Sequence, residues 1–423
     1  MTEQLKLKLN DSKATRWGAL VIVAFTMMAA YYVNDVVAPL KTMLETDLAW
    51  SSTDFGFFTG GYSFLNVFFL MLIWGGLILD RFGIRFTGKL ATILMVGGTA
   101  LEYYAMTGLA GADATLFGIN EIFGYKTGVF VAFAGYSIFG VGAEVAGITV
   151  SKIIAKWFKG KELATAMGVQ VALARIGSQA GYAVAIPLAR AFGISTPVLL
   201  GLVLLLGGMI AFFIFAVMDK KLDKQMEAAA IAAGTEDEEE KFSFKDVKNI
   251  LVNPGFWLIA LLCVLFYSCV FPFQKFASEL MIIKYGINEN VAGTFAGLPA
   301  LGALILTPVF GGFIDKRGKS ASIMLLGSAM LICVHFIYAI PDINYWLVAI
   351  VLMIILGIAF SLVPSAMWPA VAKIFPVSQL GTAYALIFFI QNIGLWGIPT
   401  LIGWVLDAYC ISGKKPDGTN MYD

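Results

Sequence analysis

The sequence predicts an all-α membrane protein, a polytopic bundle built as two similar halves, and three observations carry that prediction. The 423 residues are 59% apolar and only 13% charged, with a mean hydropathy of +0.83, a balance foreign to a water-soluble globule of this size. Apolar runs long enough to cross a hydrocarbon core of ~30 Å recur along the whole chain. One charged turn, Gly76-Leu77-Ile78-Leu79-Asp80-Arg81-Phe82-Gly83-Ile84-Arg85, returns 235 residues later as Gly311-Gly312-Phe313-Ile314-Asp315-Lys316-Arg317-Gly318-Lys319. The net charge of +1 makes no case for nucleic acid. A single histidine and four scattered cysteines, Cys263, Cys269, Cys333 and Cys410, give neither metal spacing nor a disulfide framework. No nucleophile–base set is visible, so neither an enzyme nor a cofactor is expected.

Taken in order, residues 1–15 are polar, and the apolar run after Arg16 is too long for a cleavable signal, so it is read as a retained span. Eleven spans are expected, at 16–40, 54–79, 86–108, 128–155, 162–190, 195–218, 254–284, 290–314, 320–340, 344–374 and 379–407. Of the 29 Lys and Arg residues, 21 fall in the N-terminus and the loops on its side, six on the opposite side, and two, Arg175 and Lys275, inside spans. That bias predicts a cytoplasmic N-terminus. The expected units are an N-terminal half (1–218), a linker (219–253) and a C-terminal half (254–423). The linker's acidic run at 235–240 reads as a solvated tether rather than a docking site. Phe242, Phe244, Val247, Ile250 and Leu251 suggest a short amphipathic helix on the inner membrane face.

The hairpin between the fourth and fifth spans organises the chain. Glu144 lies 13 residues before Trp157, and Arg175 lies 14 residues after Lys161. At ~1.5 Å per residue both sit ~20 Å from the same turn, deep in the bilayer. A lone charge there costs at least ~2.5–3.5 kcal/mol, so each is expected to pair or to face a wet hollow.

A second repeat reinforces the duplication: Glu162-Leu163-Ala164-Thr165-Ala166 recurs as Gln379-Leu380-Gly381-Thr382-Ala383 at an offset of 217. Duplicated helical halves are a transporter architecture, with the substrate at their interface. The turn pattern Gly-x-x-x-Asp-[Arg/Lys]-x-Gly resembles the signature of the major facilitator superfamily, which implies two pseudo-symmetric six-helix halves. Asp80, Arg81, Arg85, Asp315 and Lys316 then become gating candidates. Asp80 is expected against the N-terminus of the eleventh span near Gln379, and Asp315 against that of the fifth, while Gly76 is expected to let helices approach closely. Further blocks narrow the resemblance. They include Gly142-Ala143-Glu144, Trp157-Phe158-Lys159-Gly160-Lys161, Ala174-Arg175-Ile176-Gly177-Ser178, Val270-Phe271-Pro272-Phe273, Trp368-Pro369 and Gln391-Asn392-Ile393-Gly394. These are similar to the major facilitator domain-containing protein 1 branch, the lysosomal dipeptide transporters. The resemblance implies that Glu144 and Arg175 hold the amine and carboxylate ends of a dipeptide. The chemistry agrees: a zwitterion needs an acid and a base set apart, and Arg offers a planar fork to a carboxylate. A permanent Glu144–Arg175 salt bridge and a proton-coupling role for Glu144 remain alternatives at this point.

The offset of 217 places Ser361 opposite Glu144 and Asn392 opposite Arg175, so the first half is charged where the second is neutral. The second half is therefore expected to contribute Ser361, Ser365, Trp368, Gln391 and Asn392. Tyr62 and Asn66 form a polar stripe on the second span, and Tyr31, Tyr32 and Asp35 lie further out on the first. Tyr32 is included in the substrate set, and Asp35 and Lys275 are candidates for an outer gate or a proton site. Glu102 is expected to be interfacial, and His335 to be packed or at the lipid interface. After Asp407 no twelfth apolar span follows, although the repeat calls for one. The expected partners are a dipeptide or similar zwitterion and the lipid bilayer, with the protein a monomer. The absence of sorting motifs favours a bacterial inner membrane over a lysosome. The competing readings are a proton-coupled or exchange carrier of another small organic anion, and a non-transporting substrate sensor.

Overall fold

A computed structural model describes residues 8–111, 114–159, 161–233, 244–375, 377–414 and 420–422. The acidic run at 235–240, Phe242, and the side chains of Phe244, Asp315 and Gln379 lie outside the described residues. The helices are α1 (Lys13–Val36), α2 (Lys41–Leu48), α3 (Ser52–Phe68), α4 (Met71–Thr107), α5 (Thr127–Trp157), α6 (Leu163–Phe192) and α7 (Thr196–Ala233). A short helix α8 (Phe244–Val252) precedes α9 (Pro254–Ile283), α10 (Glu289–Ala296), α11 (Leu298–Arg317), α12 (Ser320–Ala339), α13 (Trp346–Ile374) and α14 (Val377–Tyr409). Two hairpins lie outside the bundle: β1 (Glu121–Ile122) with β2 (Tyr125–Lys126), and β3 (Ile411–Lys414) with β4 (Asn420–Tyr422). The face of the bundle that holds the start of α1 is called the N-side, and the opposite face the far side.

Every expected span has a helix at its place, with two departures. The second span is not one rod. It breaks at Phe69–Leu70, where Leu70 takes φ +54°, and the axis bends by 58° between α3 and α4. Among the described residues eight helices are each long and apolar enough to cross a membrane and the bent pair passes jointly, but α6 is not among them. The reason is legible in α6 itself: Gln170, Arg175, Ser178 and Gln179 lower its hydropathy, while Val171, Ile176 and Val184 stay exposed on another part of its surface.

Two large apolar clusters hold the bundle, one almost wholly from α1–α7 and one almost wholly from α9–α14. Within the first, helix backbones touch. A Cβ on Gly140 would sit 2.0 Å from the Tyr62 carbonyl oxygen, and one on Gly177 would sit 2.1 Å from that of Met28. Only Gly permits these contacts, which draw α5 against α3 and α6 against α1. They also place Glu144 and Arg175, which lie within one helical turn of Gly140 and Gly177.

The repeated charged turn folds around a glycine other than the one expected. Open space surrounds Gly76, so no helix approaches it. Gly83 and its repeat partner Gly318 are the constrained ones, with φ of +74° and +68° at the point where the chain reverses. An L side chain resists that backbone, which accounts for the glycine at both equivalent positions.

Candidate functional site

Glu144 on α5 accepts a hydrogen bond from the Tyr62 hydroxyl on α3 at 2.9 Å. Arg175 on α6 makes no ion pair with it, which removes the permanent salt bridge between these helices as an account of their survival. The Arg175 guanidinium instead lies between two rings, 5.5 Å from the centroid of Tyr31 on α1 and 5.1 Å from that of Phe360 on α13. Cation–π contacts of this kind contribute ~0.5–2 kcal/mol each and leave the N–H edge of the fork unspent. Tyr31 lies within electrostatic reach of both Arg175 and Glu144. From the second half, Tyr267 on α9 lies within reach of Arg175 and Tyr31 and accepts a hydrogen bond from Trp368 Nε1 at 3.3 Å. Trp368 stacks on Phe388 at 4.8 Å, and Phe271 stacks on Tyr267 at 5.5 Å.

The turn that joins α5 to α6 is clamped at the N-side. Arg16 forks onto Glu162 through Nε at 3.1 Å and Nη2 at 2.8 Å, and Lys161 reaches Asp11 at 2.8 Å. The Arg16 guanidinium holds the Glu162 carboxyl below the usual carboxylate range, and Lys161 does the same for Asp11. The hairpin that carries both charged residues is thereby tied to the start of α1.

The structure corrects several expectations. Tyr32 is buried, and its hydroxyl donates to the Pro197 carbonyl at 3.2 Å, so it faces α7 while its neighbour Tyr31 faces the site. Ser361 is spent on the Gly357 carbonyl of its own helix at 2.7 Å. Ser365 donates to the carbonyls of Ser361 at 2.6 Å and Thr307 at 3.2 Å. The repeat offset gives the level of Ser361 correctly, but one residue turns a helix by ~100°, and the residue beside Arg175 is Phe360. Asn66 and Asn392 are buried, each with an Oδ1 that has no partner. Gln391 accepts from the Cys263 thiol at 3.3 Å.

The gating set is also rearranged. Asp80 pairs with Lys152 of α5 at 2.9 Å, a contact within one half, while the side chains of its expected partner, the start of α14 near Gln379, lie outside the described residues. Arg85 pairs with Asp223 of α7 at 2.9 Å. Lys156 and the Trp157 indole N–H meet Asp219 at 2.7 and 2.9 Å. Arg81 lies over the ring of Phe82, and Lys316 is exposed.

Contacts between the halves gather on the far side. Asp35 accepts from Lys275 at 3.1 Å and from the Ser178 hydroxyl at 2.5 Å, while Lys275 also donates to the Asn34 carbonyl. Lys41 and Glu279 form a second buried pair across the seam, with the charge order reversed. The Asp407 carboxylate caps the start of α3 through the backbone N–H groups of Ser52 and Thr53, at 3.1 and 2.6 Å. Tyr422 of the β3–β4 hairpin reaches Ser52 Oγ at 2.8 Å. Among the described residues, every ion pair and side-chain hydrogen bond between the halves lies on the far side of the Glu144–Arg175 level. The sequence pointed to Asp35 and Lys275 here, but not to Lys41, Glu279 or Asp407, which look like ordinary loop-edge charges until the partner helix is known.

Glu102 is not interfacial. It is fully buried with neither carboxyl oxygen partnered, because Gly98 and Gly135 bring α4 and α5 so close that its helix faces protein. His335 packs edge-on against Phe273 at 4.9 Å, as expected of a packed residue. Among the described residues no cluster of His, Cys, Asp or Glu could hold a metal ion.

A family model described as the Major Facilitator Superfamily matches residues 20–397. A human protein named lysosomal dipeptide transporter MFSD1 is 29% identical over 409 residues, covering 93% of this chain and 81% of its own length. The Pongo abelii protein of the same name is 29% identical over 403 residues, covering 92% and 79%. Among solved structures, the inward-open xylose transporter XylE of E. coli superposes with a TM-score of 0.68 at 15% identity, covering 92% of this chain and 89% of its own. A bacterial homologue of the human lysosomal transporter Spinster, inward-facing and unoccupied, superposes with a TM-score of 0.66 at 16% identity, covering 94% and 84%. At those identities the structural matches speak for the fold alone.

Proposed function

The chain belongs to the major facilitator superfamily, and we propose that within it the protein carries small zwitterionic solutes, dipeptides foremost, across the bilayer by alternating access. The observation that carries this reading is the pair Glu144 and Arg175: one acid and one base on neighbouring helices, not spent on each other, with Tyr31 within electrostatic reach of both. A dipeptide presents one ammonium and one carboxylate a few bonds apart, and each finds its counter-charge. The MFSD1 relatives carry dipeptide transport in their name, which supports the choice of solute. Arg175 takes the carboxylate with its fork. Glu144, steadied by Tyr62, takes the amine. Asn66, Trp368, Gln391 and Asn392 complete the surroundings.

The far-side seal is the closed gate of this conformation. With the lysine and arginine bias placing the N-side in the cytoplasm of a bacterial cell, the conformation is inward-facing. The units 1–218 and 254–423 rock about the site, joined by the linker, and the cytoplasmic pairs around Asp80, Arg85 and Asp219 keep the first half rigid. The Asp35–Lys275 and Lys41–Glu279 pairs break when the far side opens. The protein works as a monomer.

Uptake of labelled Ala-Ala into proteoliposomes tests the proposal. Saturable uptake, inhibited by other dipeptides and not by free alanine, is the expected result. Uptake no greater than in empty liposomes would overturn it.

One observation favours a second reading, that carriage is coupled to protons: the Glu102 carboxyl is buried without a partner, where an ionised group is costly. Imposing a pH gradient on the same vesicles separates the two. Concentrative uptake supports coupling, and simple equilibration supports facilitated transport.

A further inference from the structure

The two ends of the site differ in more than charge. Around Glu144 the neighbours are hydroxyls, with Tyr62 bonded to it at 2.9 Å and Tyr31 within electrostatic reach. Around Arg175 the neighbours are ring faces. Phe360 covers the guanidinium at 5.1 Å, and Phe271 meets Phe360 edge-on at 5.4 Å. Tyr267 stacks on Phe271 at 5.5 Å and holds Trp368 by a hydrogen bond of 3.3 Å. Phe360, Phe271, Tyr267 and Trp368 all belong to the second half, so one continuous aromatic wall from α9 and α13 stands beside the base, whereas the rings near the acid, Tyr62 with Tyr136 and Phe139, belong to the first half.

Covalent geometry then constrains the cargo. In a dipeptide the C-terminal side chain leaves the carbon next to the carboxylate, so it begins within a few ångströms of whatever grips that carboxylate. The N-terminal side chain leaves the carbon that bears the ammonium. If Arg175 and Glu144 fix the two ends, the orientation is fixed and the two side chains meet different walls.

We propose that this aromatic wall is the specificity-determining subsite for the C-terminal side chain, and that the carrier favours dipeptides whose C-terminal residue is bulky and apolar or aromatic. The inference rests on the reading of Glu144 and Arg175 as the ends of a dipeptide site. Burial against ring faces rewards an aromatic or branched side chain, with offset or edge-on contacts adding to the area gained. A C-terminal Asp or Glu side chain would place a second carboxylate in that wall with only Arg175 to share, and is rejected.

The test is direct binding of sequence-reversed pairs, Ala-Phe against Phe-Ala and Ala-Leu against Leu-Ala, to the purified protein by calorimetry, with Ala-Ala as reference. The expected result is that Ala-Phe and Ala-Leu bind at least tenfold tighter than their reverses, and that the ratio falls below threefold in Phe360→Ala. If Ala-Ala binds and the reversed pairs differ by less than threefold, or favour Phe-Ala, the subsite is overturned and the dipeptide reading stands. If no dipeptide binds, the dipeptide reading fails and takes the subsite with it. The wild-type ratio decides even where Phe360→Ala does not fold, and Trp368→Leu serves as the second variant, with the same loss of preference expected.

Discussion

At one level of the bundle the two halves present different chemistry. The first offers Glu144, Arg175, Tyr31 and Tyr62, and the second offers Phe360, Tyr267 and Trp368. The scaffold is duplicated down to the positive-φ glycine of the charged turn, Gly83 and Gly318, yet among the described residues only the first copy places an acid and a base at mid-depth. The difference teaches that duplication sets depth and helix order, while each half then specialises: one holds charge and the other supplies shape. The far-side seam shows no such division, because each half contributes one acid and one base, Asp35 to Lys275 and Glu279 to Lys41. There the halves are electrostatically equal.

Breaking the equal partnership is expected to have the largest effect. Glu279→Ala strands the buried Lys41 ammonium and should cost about 3–5 kcal/mol, more than the double variant with Lys41→Ala. A double-mutant cycle read by thermal denaturation checks this, and additive effects would mean that the two do not interact. The unequal partnership at mid-depth comes next. Arg175→Lys keeps the charge but loses the fork, and should weaken dipeptide binding by about 2 kcal/mol, roughly 30-fold. Asn392→Ala should change binding less than threefold. The reverse ranking in a binding titration would assign the holding role to the wrong half.

A third expectation concerns the scaffold the halves share. Gly83→Ala and Gly318→Ala should each cost about 1–3 kcal/mol of stability because of their positive φ, while Gly76→Ala, in open space, should stay within about 0.5 kcal/mol. Equal effects at Gly76 and Gly83 in thermal denaturation would contradict the backbone account. A smaller loss than at Arg175 is expected at Tyr62→Phe, which removes one hydrogen bond to Glu144 and should weaken dipeptide affinity by about 1 kcal/mol, near fivefold.

Much of this was legible in the sequence because depth in a membrane helix is a matter of counting. Glu144, Arg175, Asp35 and Lys275 stand out as charges in apolar runs, and their levels follow from the rise per residue. Azimuth is harder to count. Tyr32 against Tyr31 and Ser361 against Phe360 are one-residue misses, since polarity suggested the wrong neighbour and the packing of α1 on α7 decided otherwise. The break at Leu70 carries no Pro or Gly to announce it, and the α3–α4 bend is set by tertiary packing. Contacts between halves, such as Asp407 on the start of α3, depend on which helices meet across the seam, and no local pattern states that.

The central claim is that Arg175 and Glu144 bind opposite ends of one small molecule, and a cycle between protein and ligand charges tests it most directly. Calorimetric affinities would be measured for Ala-Ala, its C-terminal amide and its N-acetyl form, against the wild type, Arg175→Ala and Glu144→Gln. The account predicts that the amide loses most of its penalty in Arg175→Ala and the acetyl form loses most of its penalty in Glu144→Gln, each with a coupling above about 1.5 kcal/mol. Independent, additive losses in both arms would contradict it.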